Sequence, residues 1–492
     1  MIISPAIDAL WQALHRHARL PLLQHGSRHW SGQAILDTVS ERVLQLQHLG
    51  ARRVALALDN GAEWILWDLA LLASGCINVP LPGFFSTAQQ QHVLDSAGID
   101  LAIGLLPTLA AQTGFVPLGG ECWQRAPEQV PAVHPGTAKI TYTSGTTGQP
   151  KGVCLDAHAQ LRVAKSLYQA SRPCEVKRHL CVLPLATLLE NIAGVYAPLL
   201  AGACINVRPM AEIGLHGSSE FDLLRFMTTL RDSQPNSLIL LPQLLLALVT
   251  AAERGLSPPR SLRFIAVGGG HVAPQLLQRA DALGLPVFEG YGLSECASVV
   301  TLNTPGARRA GSTGQTLPHA DIRLASDGEV MIRGVHMLGY LGEAPHPDGW
   351  LASGDLGQVN AGFLTLHGRK KNQFVTAFGR NVNPEWVEAE LVQQAPIAQA
   401  WLYGEAMPRN VAVLVPRFEP CPDETLTAAV AAVNAGLPDY ARAHHWLRAD
   451  ARFTAANGLA TSNGRLRRDA LATHYHNTLS ALLTTPTSEA LP

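Results

Sequence analysis

Lysine is scarce in this chain. Of 492 residues, six are lysine (Lys139, Lys151, Lys165, Lys177, Lys370 and Lys371), whereas lysine and arginine together number 37. A chain that uses arginine so widely keeps lysine where a compact point charge matters. Net charge is also small, at −1, which removes the basic signature of nucleic-acid binding or of a polybasic membrane anchor. The eight cysteines form no C-x-x-C pair, and no His/Cys cluster has zinc spacing. Free thiols in a reducing cytoplasm are the expectation. The N-terminus lacks the charged start, apolar run and cleavage site of a signal peptide. Long apolar runs are few. Residues 181–207 are broken by Pro184, Glu190, Asn191 and Pro198, and residues 238–252 are too short to cross a bilayer. Neither predicts an integral membrane segment, and no internal repeat is present.

What remains is a well-buried globular chain, 47% hydrophobic and 15% charged, and too long for one ordinary core. Residues 54–58 read as a strand, Asp59, Asn60 and Gly61 as a turn, and residues 63–73 as a helix with Trp64, Trp67 and Leu71 at helical spacing. Residues 76–81 and 99–105 read as further strands, as do 180–183, 238–241 and 263–267. The fold class is therefore α/β with buried, largely parallel strands. From about residue 311 the texture changes to short strands (322–324, 329–332, 363–366) between Gly and Asp turns, the pattern of a small β subdomain. A further α/β region begins past Gly368, and its Thr/Pro/Ser-rich tail, from about residue 484, reads as disordered.

The strongest local signal is TYTSGTTGQPKG at 141–152. Here Thr143, Ser144, Gly145, Thr146, Thr147 and Gly148 precede Gln149, Pro150 and Lys151. Glycines let backbone N–H groups turn inward, hydroxyls add donors, and lysine adds a full charge, so the loop is built to hold phosphate. It is not a Walker A loop, because Gly152 follows the lysine. The segment resembles the signature loop of the adenylate-forming superfamily: acyl-CoA synthetases, peptide-synthetase adenylation domains and luciferases. The resemblance runs in ordered motifs from about Val54 to Arg468 and is closest in pattern to the fatty acyl-CoA ligases.

The second motif, EGYGLSE at 289–295, has glycines that admit a flat base, a tyrosine to stack on it and an acid able to hold a hard cation. The resemblance implies that Tyr291 and Gly292 flank adenine and that Glu295, after Ser294, binds Mg²⁺. In the third, WLASGDLG at 350–357, a carboxylate follows a tight turn and can accept hydrogen bonds from a vicinal diol. The resemblance implies that Asp355 grips the ribose. The fourth begins at Gly368 and resembles the domain-junction motif. It implies that Arg369 contacts nucleotide, that Lys371 is the hinge, and that residues 377–379 line the thiol channel. Asn372 stands where the family usually has aspartate. The last, at 457–468, resembles the motif whose lysine bridges substrate carboxylate and nucleotide. Here that position is Arg465, and no lysine occurs after Lys371.

Together these imply an N-terminal adenylation domain over residues 1–370 and a small mobile α+β domain over 371–492. The implied enzyme uses ATP and Mg²⁺ to make acyl-AMP. It then passes the acyl group to a thiol, of coenzyme A or of the phosphopantetheine on an acyl carrier protein. A β-lactone-forming relative and a nucleotide-binding pseudoenzyme are the other readings. Lys151, Thr143 and Arg465 are the expected catalytic groups. Peptide-synthetase relatives usually carry an aspartate in this region to hold the α-amino group, and none lies between Asp156 and Asp222, so the resemblance implies that the substrate is not an amino acid. Residues 183–192 resemble the start of the acyl pocket, and the resemblance places Gly268, Gly269 and Gly270 near its wall, where absent side chains would leave room for a medium or long acyl chain.

Overall fold

The computed structural model describes residues 5–143, 150–216, 220–347, 349–461 and 464–479. The alternation read at the start of the chain is present as strand Arg53–Leu56, helix Ala62–Ser74, strand Ile77–Pro80, helix Thr87–Ser96 and strand Leu101–Ile103. Helix Ala62–Ser74 is apolar on nearly every face and buried accordingly. Gly75 ends it in the left-handed region (φ +77°), which turns the chain into the next strand. Ser86 and Gln89 close a capping box at the next helix. The strand expected at 180–183 lies instead at Arg178–Leu180. The Leu183 amide donates to the Glu190 carboxylate (2.9 Å), which takes the chain off the ladder ahead of Pro184.

Two large sheets form the N-terminal body, one of eight strands and one of thirteen. At the heart of the larger, Arg178–Leu180, Ser237–Leu240, Phe264–Val267 and Val287–Leu293 pair in parallel. The short strands expected as a β subdomain continue this ladder in antiparallel fashion. Val287–Leu293 pairs with Ser298–Leu302, and Gln315 pairs with Phe363 of Phe363–Arg369. A separate, smaller C-terminal body carries a three-stranded sheet, Ile397–Tyr403, Asn410–Pro416 and Ala443–Arg448, with helices Pro384–Val392 and Asp423–Ala435. Each body has its own apolar core. No described helix is long and apolar enough to cross a membrane. The tail expected to be disordered lies outside the described residues.

Candidate active site

Ser144, Gly145, Thr146, Thr147 and Gly148 lie outside the described residues, but both ends of their loop are placed. Strands Thr137–Thr143 and Lys151–Asp156 pair antiparallel with Thr143 opposite Lys151, and both residues line one cleft of about 2110 Å³. Lys151 Nζ stands 3.0 Å from Glu343 Oε1 and 5.3 Å over the Tyr340 ring. The Tyr340 hydroxyl donates to Glu295 Oε1 at 2.8 Å. Burial, followed by the charge of Glu295, pushes the Tyr340 phenol well above its ordinary pKa. One tyrosine thus joins the phosphate-loop lysine to the candidate metal-holding acid. The sequence did not single out Tyr340 or Glu343. They reach the site because the short strand Gly339–Tyr340 pairs with Lys151–Asp156, a contact nearly two hundred residues apart in the chain.

Strand Val287–Leu293 delivers Tyr291, and the turn Ser294–Cys296 delivers Ser294 and Glu295 to the same cleft. Gly292 is required sterically, since a Cβ there would lie 1.7 Å from the Ser298 carbonyl oxygen. Tyr291 is buried, and its hydroxyl donates to Asp355 Oδ2 at 2.7 Å. Arg369 Nε lies 2.8 Å from Asp355 Oδ1, a pair set by the cross-strand register Asp355–Arg369. Burial raises the Asp355 pKa, and Arg369 opposes the rise. A carboxylate offers about four lone-pair sites, so two donors leave acceptor capacity for a diol.

Two further groups were not foreseen. Glu289 is 8% exposed, lines the cleft near Tyr291, and has no side-chain partner among the described residues. Burial pushes its pKa up to about 8. His271, just past the glycine run, lines the same cleft and is held below its ordinary pKa by burial. Glu289 opens a motif read for its later residues, and His271 follows a run read for its glycines.

The C-terminal body closes the cleft. Arg465 sits in a tight turn, its carbonyl accepting from the Thr461 amide (2.7 Å) and its amide donating to Thr461 Oγ1 (3.0 Å). The turn is anchored by Arg468, whose guanidinium meets both oxygens of buried Glu388 at 2.9 and 2.6 Å. Arg465 is open to solvent along the cleft, yet protein crowds it on several sides. That desolvation, then the charge of Arg369, lowers its pKa, while Glu385, Asp355 and Glu295 oppose. Lys371 lies at the surface between the bodies in the short turn Lys370–Asn372. Residues 377–379 form the tip of the hairpin Phe374–Val375 and Asn381–Val382, with Phe378 76% exposed. The structure thus brings Thr143, Lys151, Tyr291, Gly292, Ser294, Glu295, Asp355, Arg369, Lys371 and Arg465 to one cleft.

A family model for the AMP-binding enzymes matches residues 10–341. The chain belongs to the AMP-binding enzyme family. It is an AMP-forming acid–thiol ligase of the adenylate-forming class. A long-chain-fatty-acid–CoA ligase of Mycobacterium bovis is 27% identical over 441 residues, covering 72% of this chain and 71% of its own. Among solved structures, an anthranilate CoA ligase in complex with anthranoyl-AMP superposes with a TM-score of 0.82 at 18% identity, covering 98% of this chain and 99% of its own. An o-succinylbenzoate coenzyme A synthetase from Bacillus subtilis, in complex with ATP and magnesium ion, gives 0.75 at 22% identity, covering 94% and 99%.

In this AMP-binding enzyme the cleft deepens into an apolar pocket. Its wall runs from helix Leu188–Glu190 through a π-turn, Asn191–Tyr196, into helix Ala197–Ala201. Such π-turns recur at functional sites. Ala193, Ala197 and Ala201 line the pocket opposite strands Ser237–Leu240 and Phe264–Val267. Part of the wall is polar: His179 Nδ1 lies 2.9 Å from Ser237 Oγ, and its Nε2 lies 3.0 Å from Glu190 Oε1. Gly194 makes room for that pair, since a Cβ there would come within 2.2 Å of Glu190 Oε1. Of the three glycines at the mouth, Gly269 has φ +79° and a Cβ on Gly268 would stand 3.0 Å from the Gly290 carbonyl oxygen. Gly270 has neither restraint, and a Cβ there would make ordinary contact with Pro242 at 3.5 Å.

Proposed function

We propose that this enzyme activates a medium- or long-chain carboxylic acid as its acyl-AMP and delivers the acyl group to coenzyme A, in the cytoplasm. The supporting observation is the convergence of Lys151, Glu295, Tyr291, Asp355 and Arg369 from the N-terminal body with Arg465 from the C-terminal body on one cleft. That cleft continues into a pocket walled by alanines and leucines. Both the fatty-acid ligase of Mycobacterium bovis and the apolar depth favour an extended acyl substrate.

In the first half-reaction a carboxylate oxygen attacks the α-phosphorus of ATP, and the bond to pyrophosphate breaks. Lys151, Thr143 and the loop residues Ser144, Gly145, Thr146, Thr147 and Gly148 would hold phosphate oxygens. Tyr291 would lie on adenine, and Asp355 would accept the ribose hydroxyls. Arg465 would bridge the acid and the nucleotide. Glu295 fits Mg²⁺, because the Tyr340 hydroxyl engages Oε1 and leaves Oε2 for a hard cation. The ion would neutralise phosphate charge. Such chemistry rests on positioning and charge stabilisation. In the second half-reaction the thiol sulfur attacks the acyl carbonyl, loses its proton, and AMP departs. The domain over 371–492 would rotate about Lys371 between the two, bringing residues 377–379 to the thiol channel.

The test is pyrophosphate release over a panel of acids, with and without coenzyme A, and mass identification of the product. Lys151→Ala and Glu295→Gln are each expected to slow adenylation by about 10²–10³. Folded variants that release pyrophosphate at the wild-type rate would refute the site. A product other than an acyl-CoA would refute the acceptor.

A further inference from the structure

Two positions depart from the superfamily pattern. By the resemblance, Asn372 stands where the family usually has aspartate and Arg465 where it has the lysine that bridges acid and nucleotide. The first loses a negative charge, and the second installs a bulkier, planar cation. Asn372 meets a carboxylate that no motif reading had singled out, that of Glu385, and Arg465 lines the same cleft as that carboxylate.

Glu385 lies in the first turn of helix Pro384–Val392, where Asn383 caps its amide (3.1 Å) and where an acid suits the helix dipole. One carboxylate oxygen, Oε1, accepts from Asn372 Nδ2 at 2.7 Å. The other, Oε2, accepts from the backbone amide of Arg369 at 3.3 Å. An aspartate at 372 would set two carboxylates against each other, and asparagine turns that contact into a donor–acceptor pair. Arg369 precedes the hinge and Glu385 follows it, so the side chain spans Lys371. Arg465 stands in a crowd that includes Arg369, which repels it, and Glu385, which attracts it.

We propose that Glu385 is a positioning residue for adenylation: it clasps the hinge in the adenylating arrangement and offsets Arg369, so that Arg465 can stay directed at the nucleotide. The inference rests on the reading of Arg465 as the adenylation cation. The proposed rotation about Lys371 would open the bond from the Arg369 amide, whereas the Asn372–Glu385 pair would travel with the C-terminal body. The clasp therefore belongs to the first half-reaction alone.

The experiment is single-turnover kinetics of both half-reactions on the full chain. The proteins are wild type, Glu385→Gln, Arg465→Ala, the double variant of these two, and Asn372→Asp. Glu385→Gln is expected to slow acyl-AMP formation about tenfold while conversion of preformed acyl-AMP stays within about twofold. In the Arg465→Ala background it is expected to add no further loss. Asn372→Asp, which keeps Glu385 but sets a carboxylate against it, is expected to reproduce the same split, and it serves as the test should Glu385→Gln fail to fold. A merely structural Glu385 would slow both half-reactions alike and act additively with Arg465→Ala, which overturns the proposal. A slow Arg465→Ala beside an unimpaired Glu385→Gln overturns this inference alone. An Arg465→Ala that adenylates at the wild-type rate overturns the cation reading beneath it.

Discussion

Replacing Lys139 with methionine tests how the wall of the apolar pocket is held. Lys139 and Asp68 form an ion pair at 2.8 Å with side chains 3% and 0% exposed. Lys139 also donates to Asn191 and to the Tyr196 hydroxyl. Asp68 accepts from Asn78 (2.7 Å), Asn191 (2.9 Å) and Tyr196 (2.7 Å). The lysine sits on strand Thr137–Thr143 of one sheet, the aspartate on helix Ala62–Ser74, and Asn191 and Tyr196 on the π-turn that walls the pocket. Burial lowers the Lys139 pKa, and the neighbouring Asp68 charge opposes this. Lys139→Met leaves the Asp68 carboxyl in the core without its cation, facing three neutral donors. Breaking a buried pair from one side costs about 3–5 kcal/mol. The three surviving hydrogen bonds place the expected loss near the lower end, about 3 kcal/mol. Removing both charges, in Lys139→Met with Asp68→Asn, is expected to cost less than the single change, because no uncompensated ion remains. Urea unfolding followed by tryptophan emission reads the effect, since Trp64 and Trp67 lie on the helix that carries Asp68. The loosened π-turn is also expected to raise KM for the acid more than KM for ATP. A single variant within about 1 kcal/mol of wild type, or a double variant equal to the sum of its parts, would refute the reasoning.

Glu289→Gln is expected to change the pH dependence of stability. The native carboxyl titrates at about 8 against an ordinary 4.5, so the folded state binds the extra proton, and the wild type loses stability as pH rises between those values. The variant lacks this slope, and urea midpoints at pH 5.5 and 8.5 are expected to converge less for wild type than for Glu289→Gln; a pH-independent difference between the two proteins refutes the assignment. Lys371→Pro fixes φ at the hinge, so acyl-AMP formation and thioester formation are expected to fall unequally in single-turnover assays, and equal losses would place the hinge elsewhere. Tyr291→Phe removes a buried hydrogen bond to a carboxylate, worth about 1.5–3 kcal/mol. It is expected to weaken AMP binding, measured by calorimetry, with little effect on the acid; unchanged AMP affinity counts against the ribose role of Asp355.

The sequence by itself determined the α/β class, the strand–helix alternation of residues 53–105 and the motifs that line the cleft, because these depend on local periodicity and on residue types needed within a few positions of one another. The glycines at 292 and 269 were read for a flat base and for acyl space, whereas the fold requires them for a close approach to the Ser298 carbonyl and for a positive φ. What only the tertiary structure decided is which distant groups complete each site. Tyr340 reaches Glu295 and Lys151 through a strand pairing, Glu385 reaches Arg369 and Asn372 across the hinge, and Lys139 meets Asp68 between a sheet and a helix. The β strands after residue 311 read as a subdomain because their short spacing is local, whereas their joining of the thirteen-stranded ladder rests on a single long-range register, Gln315 with Phe363. Hydrogen bonds and charges act over a few ångströms in space, and residues far apart in sequence come that close only once the chain has folded.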